Sequence, residues 1–327
     1  MNVSDARDLS TAPPRSDNWE YGGHLYGLEP LALPAKWSQW TPAESSLRGD
    51  AAEISLGDPS AWECDAETAS ELRPADDGET ERLFWFRWIT GHQTTFTVWQ
   101  LLAETLHQGR LADTGPAADE LARRARCLVR VYSLMLLYAS SPPQEMYERV
   151  IRDPMARQHP NLSGAWARDY GDIRPLIRGR IGFGSKLEAA ELALECQLNE
   201  QIHEGIAARV VPSGVSLLLS PKARRQTRQL NRETLLWLYD GIFLTSRAPV
   251  SRDTVVRQLI RRIHAILLDI RANGLYPLNG PDSAPEPPEL MTDSVLALKD
   301  SFAGVLRELV DLSRLSAADI GQPVTAS

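Results

Sequence analysis

Cysteine is scarce in this chain, and its few copies suggest no covalent or metal-bound framework. Cys64, Cys127 and Cys196 are the three cysteines among 327 residues. They are odd in number and widely separated, whereas disulfide frameworks and zinc clusters need paired, closely spaced cysteines. We therefore expect three reduced thiols and exclude both kinds of framework.

Long apolar runs and a surplus of positive charge are also missing. Residues 1–19 are polar without an apolar stretch behind a basic start, and the apolar run at 131–139 is broken by Ser133. We expect no signal peptide and no membrane span, and hence a cytoplasmic protein. The net charge of −8 argues against nucleic acid as a principal partner.

Several motifs that define enzyme classes are absent from the sequence. The six histidines form no HExxH, HxH or two-histidine-one-carboxylate spacing, so no non-haem metal motif is present. A GxSxG elbow and a phosphate-binding loop are missing too. Residues 182–184 come closest to GxGxxG, but no strand precedes them and no third glycine follows.

The composition that remains is typical of a packed helical protein, with 43% hydrophobic and 24% charged residues. Residues 1–78 are rich in Pro, Gly, Ser, Asp and Glu, with isolated aromatics, and we interpret them as a loop-rich N-terminal arm. Because aromatics are wasteful in a disordered tail, much of this arm should pack on the helical body or on a neighbour. Residues 79–327 form the predicted helical domain.

Apolar periodicity and end signals predict the helices of that domain, and no strand-period run competes with them. Ser141 is the predicted N-cap of a short helix, the Ser185 capping box starts a longer one, and Gly274 ends another. Residues 153–185, rich in Pro and Gly, are predicted to be irregular. The predicted helices cover residues 81–108, 116–140, 142–152, 186–208, 227–244, 251–272 and 292–315. The expected fold class is all-α.

One segment of the first helix resembles a known family. Residues 89–100 read Ile-Thr-Gly-His-Gln-Thr-Thr-Phe-Thr-Val-Trp-Gln, similar to the distal-helix pattern His-Gln-x-x-Glu-Leu-Trp of the tryptophan 2,3-dioxygenase superfamily. Phe96 replaces the glutamate, and Trp99 falls one residue later. Tyr147, residues 151–153 and residues 160–164 are similar to the Phe-Arg-Asp and Pro-x-Ser-Gly that follow. The branch that the chain resembles most is the haem-dependent bacterial L-tyrosine hydroxylases.

The resemblance implies a helical haem-binding bundle of the dioxygenase type that binds haem b. His203, on a later helix, is the implied iron ligand, and His264 fits that position less well. His92 is the implied distal acid/base. Because Cys196 precedes His203 by about two helical turns, we expect the haem to be held noncovalently.

The resemblance also implies the residues that bind substrate and cofactor. Arg152 is the candidate for the substrate carboxylate, with Arg149, Arg157 and Arg168 as alternatives. The other substrate candidates are Tyr147, Ser163, Trp99 and Phe96, and the cofactor candidates are Trp88, Ser213, Gly214 and Arg130. Each has a plain alternative: core packing for the aromatics, a buried hydrogen-bonded histidine for His92, a solvated basic face for Arg130 and its neighbours Arg123, Arg124 and Arg126, and a simple turn at residues 213–214.

The predicted reaction is hydroxylation of L-tyrosine at the 3-position to L-DOPA, in natural-product biosynthesis. Hydrogen peroxide, or dioxygen with a reductant, would supply the oxygen. The predicted partners are a small aromatic amino acid and a second copy of the chain in a homodimer joined through the arm, with neither nucleic acid nor membrane. Two alternatives stay open: a haem oxygenase acting on tryptophan or another modified aromatic amino acid, and a non-catalytic helical protein that binds a ligand or partner.

Overall fold

Helices make up most of the part of the chain that the structure describes, which confirms the predicted all-α class. The structure is a computed structural model that describes residues 20–21, 24–42, 70–112, 114–159, 162, 164–211, 231–279 and 285–315. The α-helices are α1 Asp77–Ala112, α2 Pro116–Ala139, α3 Gln144–Tyr147, α4 Asp153–Gln158, α5 Tyr170–Ile177, α6 Lys186–Val210, α7 Arg232–Ile242, α8 Arg252–Asn273, α9 Asp293–Asp300 and α10 Phe302–Arg314. Shorter elements are the 3₁₀ turns Trp37–Gln39, Gly164–Trp166 and Pro288–Leu290 and the π-helical turn Glu148–Arg152.

The centre of the fold is α1, which packs along α2 and is also covered by α5 and α8. All residues from 93 to 106 are buried, as the apolar residues around the whole circumference of this helix predict. The helices α1 and α2 approach closely at Gly91, where an added Cβ would lie 3.1 Å from the Cβ of Ala139. The other face of α2 contacts α6 and α10.

The described ranges also contain four short strands that were not predicted. The strand β1 Glu20–Tyr21 pairs antiparallel with β2 His24–Leu25, and β3 Leu31–Leu33 pairs parallel with β4 Thr245–Arg247. Strands of two or three residues are too short to show a period in the sequence. The pair β3–β4 also joins segments that are far apart along the chain.

The described part of the N-terminal arm packs on the helical body of the same chain. Leu31 and Leu33 are fully buried, and the Tyr26 ring contacts that of Phe86 on α1 at 5.4 Å between centroids. The expectation that much of the arm packs on the body therefore holds for residues 26–42. Its predicted crossing to a second subunit stays a prediction.

The region between α2 and α6 corrects two predictions. Ser141 is not an N-cap, because its hydroxyl accepts a hydrogen bond from Arg87, and α3 begins at Gln144 without a side-chain cap. Residues 153–185 are not irregular throughout, since they contain α4 and α5. Pro175 lies inside α5, although a proline in the interior of a helix usually breaks it.

Helix ends with local signals were predicted correctly, whereas the last helix was not. The Ser185 hydroxyl accepts a hydrogen bond from the Glu188 amide at the start of α6, and Gly274 ends α8 with φ of 67°, a left-handed conformation that glycine adopts freely. The predicted helix at 292–315 is divided at Ser301 into α9 and α10.

The described helices include none that combines the length and the apolar character needed to cross a bilayer. Cys127 and Cys196 are buried free thiols, as predicted for these two, and burial raises the pKa of each to about 12. Cys64 lies outside the described residues.

Candidate functional site

His92 lies at the middle of α1 with one ring nitrogen committed to the helix. Its Nδ1 is 2.7 Å from the backbone oxygen of Trp88. Because a carbonyl can only accept, we assign the proton to Nδ1, which leaves Nε2 with a free lone pair. Burial lowers the pKa of His92 to about 4, and the bond to Trp88 opposes this only in part. The imidazole is therefore neutral near pH 7 and able to accept a proton at Nε2.

Aromatic rings surround this imidazole. The Trp88 ring lies at 4.2 Å between centroids, and the Phe96 ring meets it edge-on at 6.3 Å. Phe243 stacks on it at 4.4 Å with an angle of 17° between the planes. Such a wall shields much of the imidazole, which stays partly exposed, and favours its neutral form.

These rings continue into a larger group, which we call the aromatic cluster. Trp99 contacts Tyr132 and Tyr170 at 5.2 Å each, and Tyr239 contacts both Phe96 and Phe243. The cluster consists of Trp88, His92, Phe96 and Trp99 of α1, Tyr132 of α2, Tyr147 of α3, Tyr170 of α5, Tyr239 of α7, and Phe243, which follows α7. The structure thus brings together the predicted His92, Trp88, Phe96, Trp99 and Tyr147.

Four members of the cluster were not predicted as site residues: Tyr132, Tyr170, Tyr239 and Phe243. Tyr239 and Phe243 are four positions apart at the end of a helix, so both rings fall on one side of α7. That spacing was the available signal. It does not reveal which helix the rings face.

Two polar atoms in the cluster lack a partner. The indole N–H groups of Trp88 and Trp99 are buried, and neither has a hydrogen-bond acceptor among the described residues. Trp88 is 8% exposed and Trp99 5%. A buried donor without an acceptor costs about 1–3 kcal/mol, and a bound ligand with suitable oxygens would remove that cost.

Arg152, the predicted carboxylate ligand, lies at the edge of the cluster. It is in the π-helical turn that directly follows Tyr147 and α3, and the Tyr147 ring meets Trp88 edge-on at 5.9 Å. Burial raises the pKa of Tyr147, and the charge of Arg152 acts in the opposite direction. The Arg152 guanidinium is 4.0 Å from the Glu148 carboxylate. Helix turns of the π type occur often at functional sites.

The alternative arginines have other surroundings. Arg149 forms an exposed ion pair with Glu81 at 2.9 Å, and Arg168 donates to Asp240 at 2.9 Å and to Glu233 at 3.0 Å. Arg157 is exposed at the end of α4. Among the four, Arg152 is the one whose charge is shown to act on a tyrosine of the cluster, Tyr147.

The arginines of α2 mostly contact acidic residues of α6. Arg130 donates to Glu195 at 2.7 Å, and Arg123 to Glu188 at 2.9 Å. Arg126 lies 3.4 Å from Glu191, whereas Arg124 is buried and donates to the backbone oxygen of Leu315. The predicted contact of Arg130 with a haem propionate stays a prediction, and in this structure its guanidinium joins α2 to α6.

His203 is exposed on α6, and its predicted role as iron ligand stays a prediction. The helix α6 packs mainly on α2 and buries Cys196 and Asn199. Asn199 donates to the Ser133 hydroxyl of α2 at 2.9 Å. Ser163, Ser213 and Gly214 lie outside the described residues, and His264 is partly buried on α8. Within the described ranges, no three His, Cys, Asp or Glu side chains form a group suited to a metal ion.

A buried ionic network supports the Trp99 end of the cluster. Arg247 of β4 donates to Asp169 at 2.9 Å and to Asp240 at 2.6 Å, and Gln100 donates to Asp169 at 2.8 Å. Asp169 directly precedes Tyr170, and Asp240 directly follows Tyr239. The network therefore fixes the backbone next to two tyrosines of the cluster, Tyr170 and Tyr239.

The residues on the His92 side fit a haem. A neutral imidazole with a free Nε2, flat aromatic walls and two orphaned indole donors are the features of a pocket for a planar cofactor and an oxygen-bearing ligand. Trp88 and Phe96 would contact the group.

Comparison with known families gives an independent finding. Residues 33–197, half of the chain, match the family described as SfmD 3-methyl-L-tyrosine peroxygenase. The matched span includes His92, Trp99, Tyr147 and Arg152, and it ends before His203. A comparison with curated proteins finds no match. The chain therefore belongs to the SfmD 3-methyl-L-tyrosine peroxygenase family.

Proposed function

We propose that this protein is a haem-dependent peroxygenase that hydroxylates the aromatic ring of tyrosine or of a ring-substituted tyrosine. The family is one of haem-dependent peroxygenases, so the coarse assignment as an oxidoreductase follows from membership. The finer proposal is conversion of L-tyrosine to L-DOPA, in natural-product biosynthesis. One observation carries the proposal: a partly buried, neutral imidazole that is unprotonated at Nε2 inside an aromatic cluster.

His92 is the proton-handling residue in this proposal. Haem b, when bound, supplies the iron chemistry that transfers one oxygen atom of hydrogen peroxide to the ring, and the other oxygen leaves as water. Nε2 of His92 accepts a proton from the peroxide or from the phenol and returns it to the departing oxygen. Because its pKa lies below neutrality, this nitrogen is unprotonated near pH 7.

The remaining residues bind and orient the substrate. Arg152 matches a carboxylate because its planar donors reach both oxygens. Tyr147, Phe96 and Trp99 pack on the substrate ring and exclude water, with Ser163 as a further proposed contact. The orphaned N–H groups of Trp88 and Trp99 donate to ligand oxygens. We retain Ser213, Gly214 and Arg130 as proposed cofactor contacts and His203 as the proposed iron ligand.

A second substrate is favoured by a specific observation. The matched family is described by 3-methyl-L-tyrosine, which is one of the modified aromatic amino acids that the sequence left open. A methyl group beside the phenol adds apolar area that an aromatic pocket accommodates readily. No observation in the described residues favours tryptophan.

The test begins with protein expressed in the presence of a haem precursor. We expect a Soret band, a spectral shift on adding L-tyrosine or 3-methyl-L-tyrosine, and a product heavier by one oxygen atom when hydrogen peroxide is added. Colourless protein, or a shift and product with L-tryptophan alone, would contradict the proposal.

Two variants divide the proposed roles. His92→Gln should retain the Soret band and lose about 100-fold or more in kcat, the usual contribution of a general acid/base. His203→Ala should lose the band itself. If His203→Ala binds haem as well as wild type, the ligand assignment is wrong, while the role of His92 is unaffected.

A further inference from the structure

Gln93, the residue next to His92, is a junction of three distant segments. Its amide nitrogen donates to the backbone oxygens of Glu29 at 3.0 Å and Phe243 at 2.9 Å, and its amide oxygen accepts from Nε of Arg262 at 2.9 Å. Gln93 is 1% exposed. Its side chain thus ties the arm, the segment after α7 and α8 to the centre of α1.

Arg262 fixes the orientation of the Gln93 amide. The guanidinium can only donate, so the amide oxygen must face it and the amide nitrogen must face the two carbonyls. Arg262 is itself held by the backbone oxygens of Gln258, Glu29 and Pro30 at 3.0–3.1 Å. Because every partner is buried or nearly so, no water competes for these bonds.

Phe243 needs such a constraint because the backbone beside it is strained. Leu244 has φ of 48°, a left-handed conformation that costs a non-glycine residue about 1–2 kcal/mol. Strain of this kind persists where surrounding contacts fix the chain. The carbonyl of Phe243 accepts from Gln93 and from the Thr245 hydroxyl, and Leu31 donates to the Leu244 oxygen at 3.0 Å.

From these contacts we infer that Gln93 is a positioning residue, whose side chain, oriented by Arg262, holds the Phe243 ring stacked on the imidazole of His92. Gln93 does not touch substrate or cofactor in this account. The inference about structure stands on the contacts alone, and its consequence for catalysis rests on the proposed function of His92.

The consequence concerns how much of the imidazole water can reach, since the rings around it leave it only partly exposed. Phe243 covers one face of His92 and Trp88 lies on another side. Loss of the Gln93 bonds lets the segment at Leu244 relax and the phenyl ring move away. More of the imidazole is then exposed to water, and the pKa of His92 rises from about 4 toward 6.5.

NMR of the full-length chain with ¹³C-labelled histidine tests the inference without haem or turnover. The His92 signal is identified by its loss in His92→Gln. Phe243→Leu shows how far the His92 signal and pKa move when the ring is lost, because it removes the ring current and exposes the imidazole. Gln93→Met, which keeps the volume and loses the amide, should move the His92 signal and raise its pKa in the same direction. Gln93→Glu serves if Gln93→Met does not fold, because it keeps an acceptor for Arg262 and loses both donations.

Gln258→Met is the matched control. Gln258 is an equally buried glutamine that bonds the backbone of Ala32 in the arm and has no contact with Phe243. This variant should leave the His92 signal and pKa at the wild-type values. If the Gln93 variants also leave them unchanged while Phe243→Leu moves them, the inference is overturned. If Gln258→Met moves them as much, general loosening of the arm explains the effect and the inference is equally overturned.

In haem-loaded protein the same Gln93 variant should lower kcat while leaving KM for the tyrosine substrate near the wild-type value. Failure of the chain to bind haem would refute the proposed function and leave the NMR result standing. An unchanged NMR signal in a protein that is active would refute the positioning role alone.

Discussion

Three of the polar side chains buried on α1 bind backbone groups of other segments. Gln93 binds Glu29 and Phe243, Gln100 donates to the Pro34 oxygen at 3.1 Å, and Arg87 donates to the Gly274 oxygen at 2.7 Å. Such bonds satisfy groups that would be costly to bury alone. They also mean that α1 determines where the loops around His92 lie.

The neutral state of His92 predicts a specific dependence of stability on pH. Its pKa is about 4 in the folded protein and 6.5 as an ordinary value. Between these values the unfolded chain binds the proton and the folded chain does not, so this contribution to stability is complete above 6.5 and is lost as pH falls toward 4. It amounts to at most about 3 kcal/mol.

Urea unfolding of wild type and His92→Gln at neutral pH and near pH 4 measures this contribution. The variant should lose less free energy of unfolding than wild type on acidification, because it carries no imidazole to protonate. Equal losses in the two proteins would show that His92 is not held neutral by burial.

Residues on one helix were predictable, and residues that meet it from elsewhere were not. Trp88, His92, Phe96 and Trp99 follow one another at intervals of three or four, so their common neighbourhood is visible in the sequence. Phe243 reaches His92 from a segment about 150 positions away, through bonds that depend on the three-dimensional path of the chain. No period in the sequence encodes that contact.

At the scale of elements, Gly109 of α1 marks a close contact with the segment before α6. A Cβ at this position would lie 2.4 Å from atoms of the Phe183 ring, and both residues are buried. We expect Gly109→Ala to lower the free energy of unfolding by about 1–2 kcal/mol, because overpacking outweighs the better helix propensity of alanine.

The matched control for that substitution is Gly304→Ala. Gly304 lies in α10 and has no atoms within 4 Å of an added Cβ. This variant should gain up to about 1 kcal/mol from helix propensity. Thermal unfolding followed by circular dichroism distinguishes the two, and stabilisation by both would mean that Phe183 does not pack on α1.

The Arg247 network joins β4, α5 and α7, and its removal should be costly. Arg247→Met leaves the Asp169 and Asp240 carboxylates, which are 5% exposed or less, without their shared cation. We expect a loss of about 3–5 kcal/mol, since breaking a buried pair leaves an uncompensated charge. Arg123→Met, at an exposed pair of α2, should cost about 0.5 kcal/mol or less. If urea titration gave similar losses in the free energy of unfolding for Arg247→Met and Arg123→Met, burial would not explain the importance of the Arg247 network.

Capping residues predicted helix ends correctly where no tertiary contact engaged them. Ser185 and Gly274 mark helix ends through bonds within a few residues, and both were predicted correctly. Ser141 carries the same kind of signal, but Arg87 of α1 binds its hydroxyl. A tertiary contact that replaces a local one cannot be predicted from residues near the cap.

At the scale of the whole molecule, the arm is part of the core. Its backbone between Glu29 and Pro34 supplies partners to Gln93, Gln258 and Arg262. Removal of residues 1–42 should abolish a cooperative thermal transition, because these side chains lose their partners and β4 loses its neighbour. Removal of residues 1–19 alone keeps every one of these contacts and should preserve the transition. Cooperative unfolding of the protein that lacks residues 1–42 would show that the arm is dispensable.

We further propose that the protein is a homodimer, as the resemblance implied. Sedimentation equilibrium of the full-length chain measures this directly. A mass near twice that of the 327-residue chain supports the proposal, and a mass equal to one chain contradicts it.

The long-range contacts of Gln93 also bear on when the protein can fold during its synthesis. Its three partners lie 64, 150 and 169 positions away, so the last of them leaves the ribosome only when most of the polypeptide has been translated. A nascent chain that still lacks these later segments cannot cover His92 with the Phe243 ring. Long-range contacts of this kind also slow folding. We therefore expect capture of the iron porphyrin to follow translation, once the segments that contain Glu29 and Arg262 have both met at Gln93.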